Sequence, residues 1–418
     1  MTAVIQRQTR KPQDMSDRRR AAFERAQLAR SKGTRPRSRY REKIGKGPKP
    51  LGFYMIAAMV FILVAFGLVM VLSASSIYSF NKEGTPWNYF SRQVFFAGIG
   101  LLGMALATTF PLTWFQKHTK RFPSLTFASI LPMFGVALML LAFLPGIGTK
   151  VNGARAWIHF GSQTFQPSEL MKLFIIIFGA DLLSRREAEM GNLRRTMSPF
   201  LIVTSAGAGL AMIQSDVGSC LVMLGIAAAV LFLAGAPLRP MLALAAGATP
   251  FALLFIRSSP EKLQRFTSFL DIYGTRADQG YQVYQSMISL SNGGLTGTGI
   301  GTGSGKWGYV PLAHSDFIFA VLAEEMGLLG VLGLVTLFAF LIYFGLQVAL
   351  SCRYRFGLLL AGGIASWFLL QLVINVGGVI GLLPVTGLTL PFISFGGTSL
   401  IVSMVACGLM MNVARRPR

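Results

Sequence analysis

The sequence predicts an all-α polytopic integral membrane protein with about ten transmembrane helices and both termini cytoplasmic. Three observations carry that prediction. Only 13% of the 418 residues are charged while 53% are hydrophobic, and the mean hydropathy is +0.56. A soluble domain carries about 25% charged residues, so a soluble enzyme is all but excluded. Apolar windows of about 17–25 residues, the length that crosses a bilayer, recur along the chain. The bases of the short loops between these windows fall on one side. The formal charge of +23 would by itself suggest nucleic acid or an acidic surface as partner, and its distribution argues otherwise.

Residues 1–50 hold 16 Lys/Arg against four acids (Asp14, Asp17, Glu24, Glu42), a net of +12, and the rest of the chain holds 23 bases and 12 acids, a net of +11. Rich in Arg, Pro and Ser, this segment cannot bury a core and is expected to be a disordered cytoplasmic tail. It lacks the apolar core and small-residue cleavage site of a signal peptide, so the first span is expected to be retained. The tail reads as a positive-inside anchor beside anionic lipid. A protein-docking segment is the alternative, and nucleic-acid binding is the weakest reading.

Ten spans follow, at 51–73, 93–111, 125–145, 168–184, 198–215, 217–235, 239–256, 317–350, 356–381 and 391–413. The eighth is over-long and is expected to tilt or break at Gly327 or Gly330. With the tail inside, the inner loops carry Lys117, Lys120 and Arg121; Arg185, Arg186, Arg194 and Arg195; Arg239; and Arg353 with Arg355. The basic end 414–418 is inside too. A count of nine would put one end on the wrong face.

Cys220, Cys352 and Cys407 lie in or at the ends of spans, so no disulfide framework or thiolate metal site is implied. None of the three His has zinc-site spacing. The Gly-rich run Gly293–Gly305 has no strand before it and no Gly-Lys-Ser after it, which makes it a poor nucleotide loop.

Ionisable groups in a membrane domain are costly and usually line a cavity or pathway. Asp216, Asp271, Asp278, Asp316, Glu169 and Lys172 fall at or near the outer ends of spans, with Glu324 and Glu325 two turns into span eight. Glu169 and Lys172, at i and i+3, share a helix face; they either lock the helix as a neutral pair or present a cation to a phosphate. Pro167 and Ser168 read as the start of that helix. The outer loop 257–316 is long enough to be functional or disordered. Tyr281, Tyr284, Gln285 and Ile288 at helical spacing predict an amphipathic helix within it. Asp271 and Asp278 precede that helix, as solvated carboxylates or as a base for a sugar hydroxyl. Ser315 and Asp316 suit helix caps, and His314 reads as a hydrogen-bonding loop residue sooner than a base. The stretch Gly387–Ser399, dense in small and hydroxyl residues, suggests a broken helix lining a polar cavity.

Three motifs together resemble the SEDS family (shape, elongation, division and sporulation), over about residues 51–413. They are Phe165-Gln166-Pro167-Ser168-Glu169-Leu170-Met171-Lys172-Leu173; Ala313-His314-Ser315-Asp316-Phe317-Ile318-Phe319-Ala320 with Glu324-Glu325-Met326-Gly327; and Leu383–Ser399. The Gly387-Leu388-Thr389-Leu390-Pro391 run is more like the division branch than the elongation branch. The resemblance implies a peptidoglycan glycosyltransferase that polymerises lipid II at the outer face of the bacterial cytoplasmic membrane, at the division septum. The implied partners are a class b penicillin-binding protein that crosslinks the strands and regulatory membrane proteins of the divisome; nucleic acid is not among them.

By the same resemblance, the acceptor sugar's 4-hydroxyl displaces undecaprenyl pyrophosphate with inversion. That reaction needs a carboxylate base and cationic stabilisation of the leaving group. No residue pattern specifies a cofactor; the pyrophosphate is the reason Mg2+ or Mn2+ stays a candidate. The family's loop aspartate is where the chain departs, because an ungapped match from Gly280-Tyr281-Gln282 puts Thr275 in its place. A three-residue shift brings Asp278 there, and Asp271 matches the start of the stretch. Asp278 is therefore the first candidate base and Asp271 the second. The candidate substrate contacts are Glu169, Lys172, Asp216, Arg155, Gln282, His314, Asp316, Ser394 and Thr398. The rival classes are a lipid II flippase without bond chemistry and a non-catalytic scaffold, with an elongation-type polymerase as the neighbouring reading.

Overall fold

The computed structural model describes residues 49–416 apart from 119–124, 152, 162, 191–192, 240, 243–245, 247–256, 258–262, 264–266, 268 and 279. The tail 1–50, except Lys49 and Pro50, and most of the seventh expected span, 239–256, therefore lie outside the described residues.

Ten α-helices are described: α1 (Leu51–Glu83), α2 (Asn88–Thr109), α3 (Phe127–Leu141), α4 (Pro167–Arg185), α5 (Ser198–Ile213), α6 (Val217–Leu233), α7 (Tyr281–Gly293), α8 (Ile318–Ser351), α9 (Arg355–Val379) and α10 (Gly397–Ala414). Nine of them fall on expected spans, and α7 is the amphipathic helix expected in the long loop. Six are long and apolar enough to cross a membrane, and α3 and α6 are shorter apolar helices. The helix α4 carries Glu169, Lys172 and Asp181 in its interior.

The ends of the elements have local causes. Pro50, extended at φ −68 and ψ 158, precedes α1. Gly84 at φ 72 ends it, donating its N–H to the Phe80 carbonyl, as a left-handed glycine stop does. That end lies ten residues beyond the expected Ser73, because polar residues end an apolar window without ending a helix. The tenth span begins at Gly397 instead of 391, since 391–396 is a turn with Phe392 at φ 67. The break expected in span eight is at Gly327, at φ 63 and ψ −165.

The reading of an all-helical chain omitted a small antiparallel sheet. Strands β1 (Gly148–Val151), β2 (Ala154–Phe160) and β3 (Gln163–Phe165) join the outer ends of α3 and α4 in the order β1-β2-β3. Ile158 faces both Gly148 and Phe165 across it, and Ala156 and Ile158 are buried while Arg155 and His159 are exposed. Period-two alternation over so few residues is easily missed beside long apolar runs.

In the core, α9 lies against α4, α6 and α8, and α10 lies along α2. Trp367 of α9 is fully buried. Large apolar side chains of α1, α2 and α8 stay exposed, among them Phe61, Leu102 and Leu329, as expected of surfaces that face lipid.

Three of the non-tail acids, Asp181, Glu187 and Glu189, lie at the inner end of α4 or in the loop after it, against the expectation that nearly all of them gather outside. Asp181 is fully buried at the inner end of α4, where Arg185 grips it through Nε at 2.9 Å and Nη2 at 2.7 Å and Thr126 donates at 2.6 Å. A bidentate arginine with a hydroxyl satisfies a buried carboxylate well. This cluster ties the start of α3 to the end of α4.

Candidate active site

The outer end of α4 opens with Pro167, whose missing N–H costs nothing at the first helical position. One turn later Lys172 donates to Glu169 at 2.7 Å, with side-chain exposures of 0% and 3%. The ammonium also contacts Gln371 Oε1 at 3.4 Å and lies 5.4 Å from the centre of the Trp367 ring. Gln371 accepts from Trp367 Nε1 at 2.6 Å and donates to the Thr389 carbonyl at 2.9 Å. Buried charges need a partner and hydrogen bonds together, and Lys172 has both. Glu169 Oε2 is buried without a hydrogen-bond partner.

Asp216 caps α6 by accepting from the Ser219 N–H at 3.0 Å. Its other oxygen accepts from Gln166 Nε2 and from Ser168 Oγ, both at 2.9 Å. Gln166 and Ser168, just ahead of Glu169, are thus pinned to the α5–α6 turn. Asn375, one turn beyond Gln371 on α9, donates to the carbonyls of Asp316 at 3.0 Å and Leu388 at 2.6 Å. Since both its contacts are carbonyls, the amide orientation is fixed by the network, and its Oδ1 is left buried without a partner. A small cleft is lined here by Asp316, Asn375, Thr386, Gly387 and Leu388. Half-buried Asp316 is pushed up to about 6, first by burial and then by the nearby Asp216 carboxylate.

The remaining candidates divide. Thr398 accepts from the Gln166 N–H at 3.2 Å, so it belongs to the same cluster. Ser394 is taken up by the turn: it donates to the Ser315 carbonyl and accepts from the Leu390 N–H, each at 2.7 Å. His314 is packed between Tyr78 and Tyr89, with ring centroids at 5.0 Å from each, and beside Phe395. Burial, and then Lys82, lower it to about 4; it is a neutral packing residue here and not an exposed substrate contact. Ser315 and Asp316 do not cap α8, which starts at Ile318 without a side-chain cap. Arg155 is exposed on β2, its N–H donating to the Gln214 carbonyl at 3.1 Å.

The two loop aspartates are both exposed. Asp271 Oδ1 accepts from the Gly274 N–H, three residues on, at 2.8 Å, so one of its oxygens is engaged in the local turn. Asp278 has no side-chain hydrogen bond among the described residues. Gln282 is half-buried one turn later on α7. The loop lies against the outer end of α9, with Ile272, Val283 and Met287 around Gly381.

Glu324 and Glu325 are each 1% exposed. The end of the Gly-rich run satisfies Glu324, and Ser73 with Lys306 satisfies Glu325. Glu324 accepts from the N–H groups of Ser304 and Gly305, both at 2.9 Å, and from Ser304 Oγ at 2.5 Å. Glu325 accepts from Ser73 Oγ at 2.7 Å and from Lys306 Nζ at 3.2 Å.

Gln371, Asn375 and Trp367 were missed from the sequence. Their signal was available, since 367, 371 and 375 lie at i, i+4 and i+8 on one face of an apolar span, where polar side chains are functional or structural by default. Among the described residues no three His, Cys, Asp or Glu side chains converge, whereas Mg2+ is commonly held by one or two carboxylates together with substrate phosphates.

A multi-pass helical membrane protein with charged groups sunk in one end of its bundle is the class that fold and site define. Residues 53–418 match the family described as "Cell cycle protein", which unites FtsW, RodA and SpoVE. The chain belongs to this family, the SEDS family. It is 36% identical over 370 residues to the probable peptidoglycan glycosyltransferase FtsW of Geobacter sp. (strain M18), covering 88% of this chain and 98% of that protein. It is 35% identical to the stage V sporulation protein E of Bacillus subtilis (strain 168), covering 87% and 97%. Among solved structures, one described as "Structural coordination of polymerization and crosslinking by a peptidoglycan synthase complex" superposes with a TM-score of 0.68 at 29% identity, covering 87% of this chain and 97% of that chain. The RodA protein of Thermus thermophilus superposes at 0.62 and 29%, covering 86% and 95%.

Proposed function

We propose that this chain is a division-type peptidoglycan glycosyltransferase that polymerises lipid II at the outer face of the bacterial cytoplasmic membrane. The observation that carries the reading is the near full-length similarity to proteins named as probable peptidoglycan glycosyltransferases. The cluster of buried polar and charged groups around Glu169, Lys172 and Asp216 at the outer end of α4 supports it. In this reading the acceptor 4-hydroxyl gives its proton to Asp278, and its oxygen bonds the donor's anomeric carbon. The bond from that carbon to undecaprenyl pyrophosphate breaks, and the leaving group takes the electron pair. Asp278 is taken as the base because its carboxylate has no hydrogen bond among the described residues, whereas that of Asp271 accepts from the Gly274 N–H. Lys172, fully buried and occupied, acts by holding Glu169 and the outer end of α4 in place.

The flippase reading loses support along α4. Between Lys172 and Asp181 lie only Leu173–Ala180, all apolar, about 12 Å of helix without a polar step. A partner that crosslinks the strands, a class b penicillin-binding protein, is proposed by analogy with the synthase complex. Divisome regulators and a septal location go with the division branch.

Purified protein, a class b partner and labelled lipid II provide the test. Glycan chains made by the parent and lost in Asp278→Ala are the expected result. Unaltered polymer from the Asp271→Ala, Asp278→Ala double variant would remove the base assignment, and translocation without polymer would replace the polymerase by the flippase.

A further inference from the structure

The Gly-rich segment between α7 and α8 sits deeper than an aqueous loop should. The Leu328 and Leu329 N–H groups, at the Gly327 break in α8, donate to the carbonyls of Gly294 and Leu295 at 3.0 and 3.1 Å. Thr298 and Gly299 in turn donate to the carbonyls of Glu324 and Glu325 at 3.0 and 2.9 Å. The segment therefore meets α8 about ten residues below its outer end, roughly 15 Å down the axis. The stretch of α8 outside the Gly327 break, residues 318–326, is about 14 Å long, and the loop meets the helix at the level of that break.

Exposure on α8 changes at the same level. Ile318–Glu325 are buried, and the first exposed apolar residues are Leu328, at 47%, and Leu329, at 64%. The loop continues that apolar surface outward with Leu295 (69%), Ile300 (56%), Trp307 (67%) and Tyr309 (59%). Backbone groups of Gly294, Leu295, Thr298 and Gly299 bond to α8 and Lys306 is buried against Glu325, while Thr296, Thr298, Thr302 and Ser304 are exposed beside the apolar side chains. Irregular backbone is tolerated at membrane depth only when its polar groups are satisfied by protein, and Trp and Tyr favour the bilayer interface.

We propose that residues 294–309 form a re-entrant loop facing lipid, with Leu295, Ile300, Trp307 and Tyr309 inserted into the outer leaflet as a continuation of the lipid-facing wall of α8. The occupant of this surface is bilayer lipid. The loop follows directly on α7, so its insertion fixes the height of α7, and of the Asp278 loop before it, relative to the membrane.

The test needs no enzymatic activity. The full chain is reconstituted in bilayers whose phosphatidylcholine carries bromine near the headgroup end of its acyl chains. The tryptophan emission assigned to Trp307 is the part removed by Trp307→Phe. That component should lose most of its intensity in the brominated bilayer and stay insensitive to aqueous acrylamide. A second probe, Tyr309→Trp in the Trp307→Phe background, should behave alike. Quenching of both probes by acrylamide, with none from the brominated lipid, overturns the proposal and makes the segment an aqueous or partner-facing loop.

Discussion

Replacing Lys172 by methionine keeps the bulk of the side chain and removes its charge inside the bundle. The two side chains it would separate are 0% and 3% exposed and meet at 2.7 Å. Glu169 has no other hydrogen-bonded partner on its side chain, because Oε2 is already unpaired. Breaking a buried pair by removing one member costs about 3–5 kcal/mol, whereas replacing both members is often close to neutral. Lys172→Met is therefore expected to unfold well below the parent temperature, and Glu169→Gln combined with Lys172→Met should recover most of the difference. Thermal unfolding of the purified proteins, followed by intrinsic fluorescence in one detergent, measures both. A single variant as stable as the parent, or a double variant as unstable as the single, would refute the argument. Polymer synthesis then separates two roles. A stable but inactive double variant assigns the ion pair to the reaction, and a stable and active one leaves it a purely structural lock.

Asp316 has an ordinary value of 3.8 raised to about 6 in the fold, so folding favours its protonated form. The stability it contributes is complete below pH 3.8 and is lost as pH rises through about 6; Asp316→Asn should abolish that loss in a pH series of unfolding temperatures. His314 runs the opposite way, lowered from 6.5 to about 4. Its contribution is present above pH 6.5 and is lost as pH falls toward 4. His314→Phe, which keeps the stacking with Tyr78 and Tyr89, should remove that acid sensitivity and retain polymerisation in the lipid II assay. Gly297 has φ +82, and a Cβ there would lie 2.2 Å from the Glu325 carbonyl oxygen. Gly297→Ala should accordingly cost about 1–3 kcal/mol, read as a fall in the unfolding temperature.

The sequence alone determined the membrane class and, among the described residues, nine of the expected helical spans. Long apolar runs and the sidedness of bases depend on partition between water and lipid, which acts on each segment separately. Glu169 and Lys172 were legible as a pair because three residues of helix bring them together whatever surrounds them. The break at Gly327 was legible because glycine is where a long helix yields.

What only the tertiary structure decided lies between segments distant in sequence. Gln371 and Asn375 gain their roles from Lys172, the Leu388 and Thr389 carbonyls and the Asp316 backbone. His314 loses its candidacy because Tyr78, Tyr89 and Phe395 close around it. Asp271 and Asp278 stand in the same stretch of sequence, and only a turn bond to Gly274 separates the carboxylate of Asp271 from that of Asp278. The end of the Gly-rich run acquired a role when Glu324 was found to take the Ser304 and Gly305 amides, while Glu325 takes Ser73 and Lys306. In each case a buried polar group must find its partner locally or across the fold, and composition does not say which.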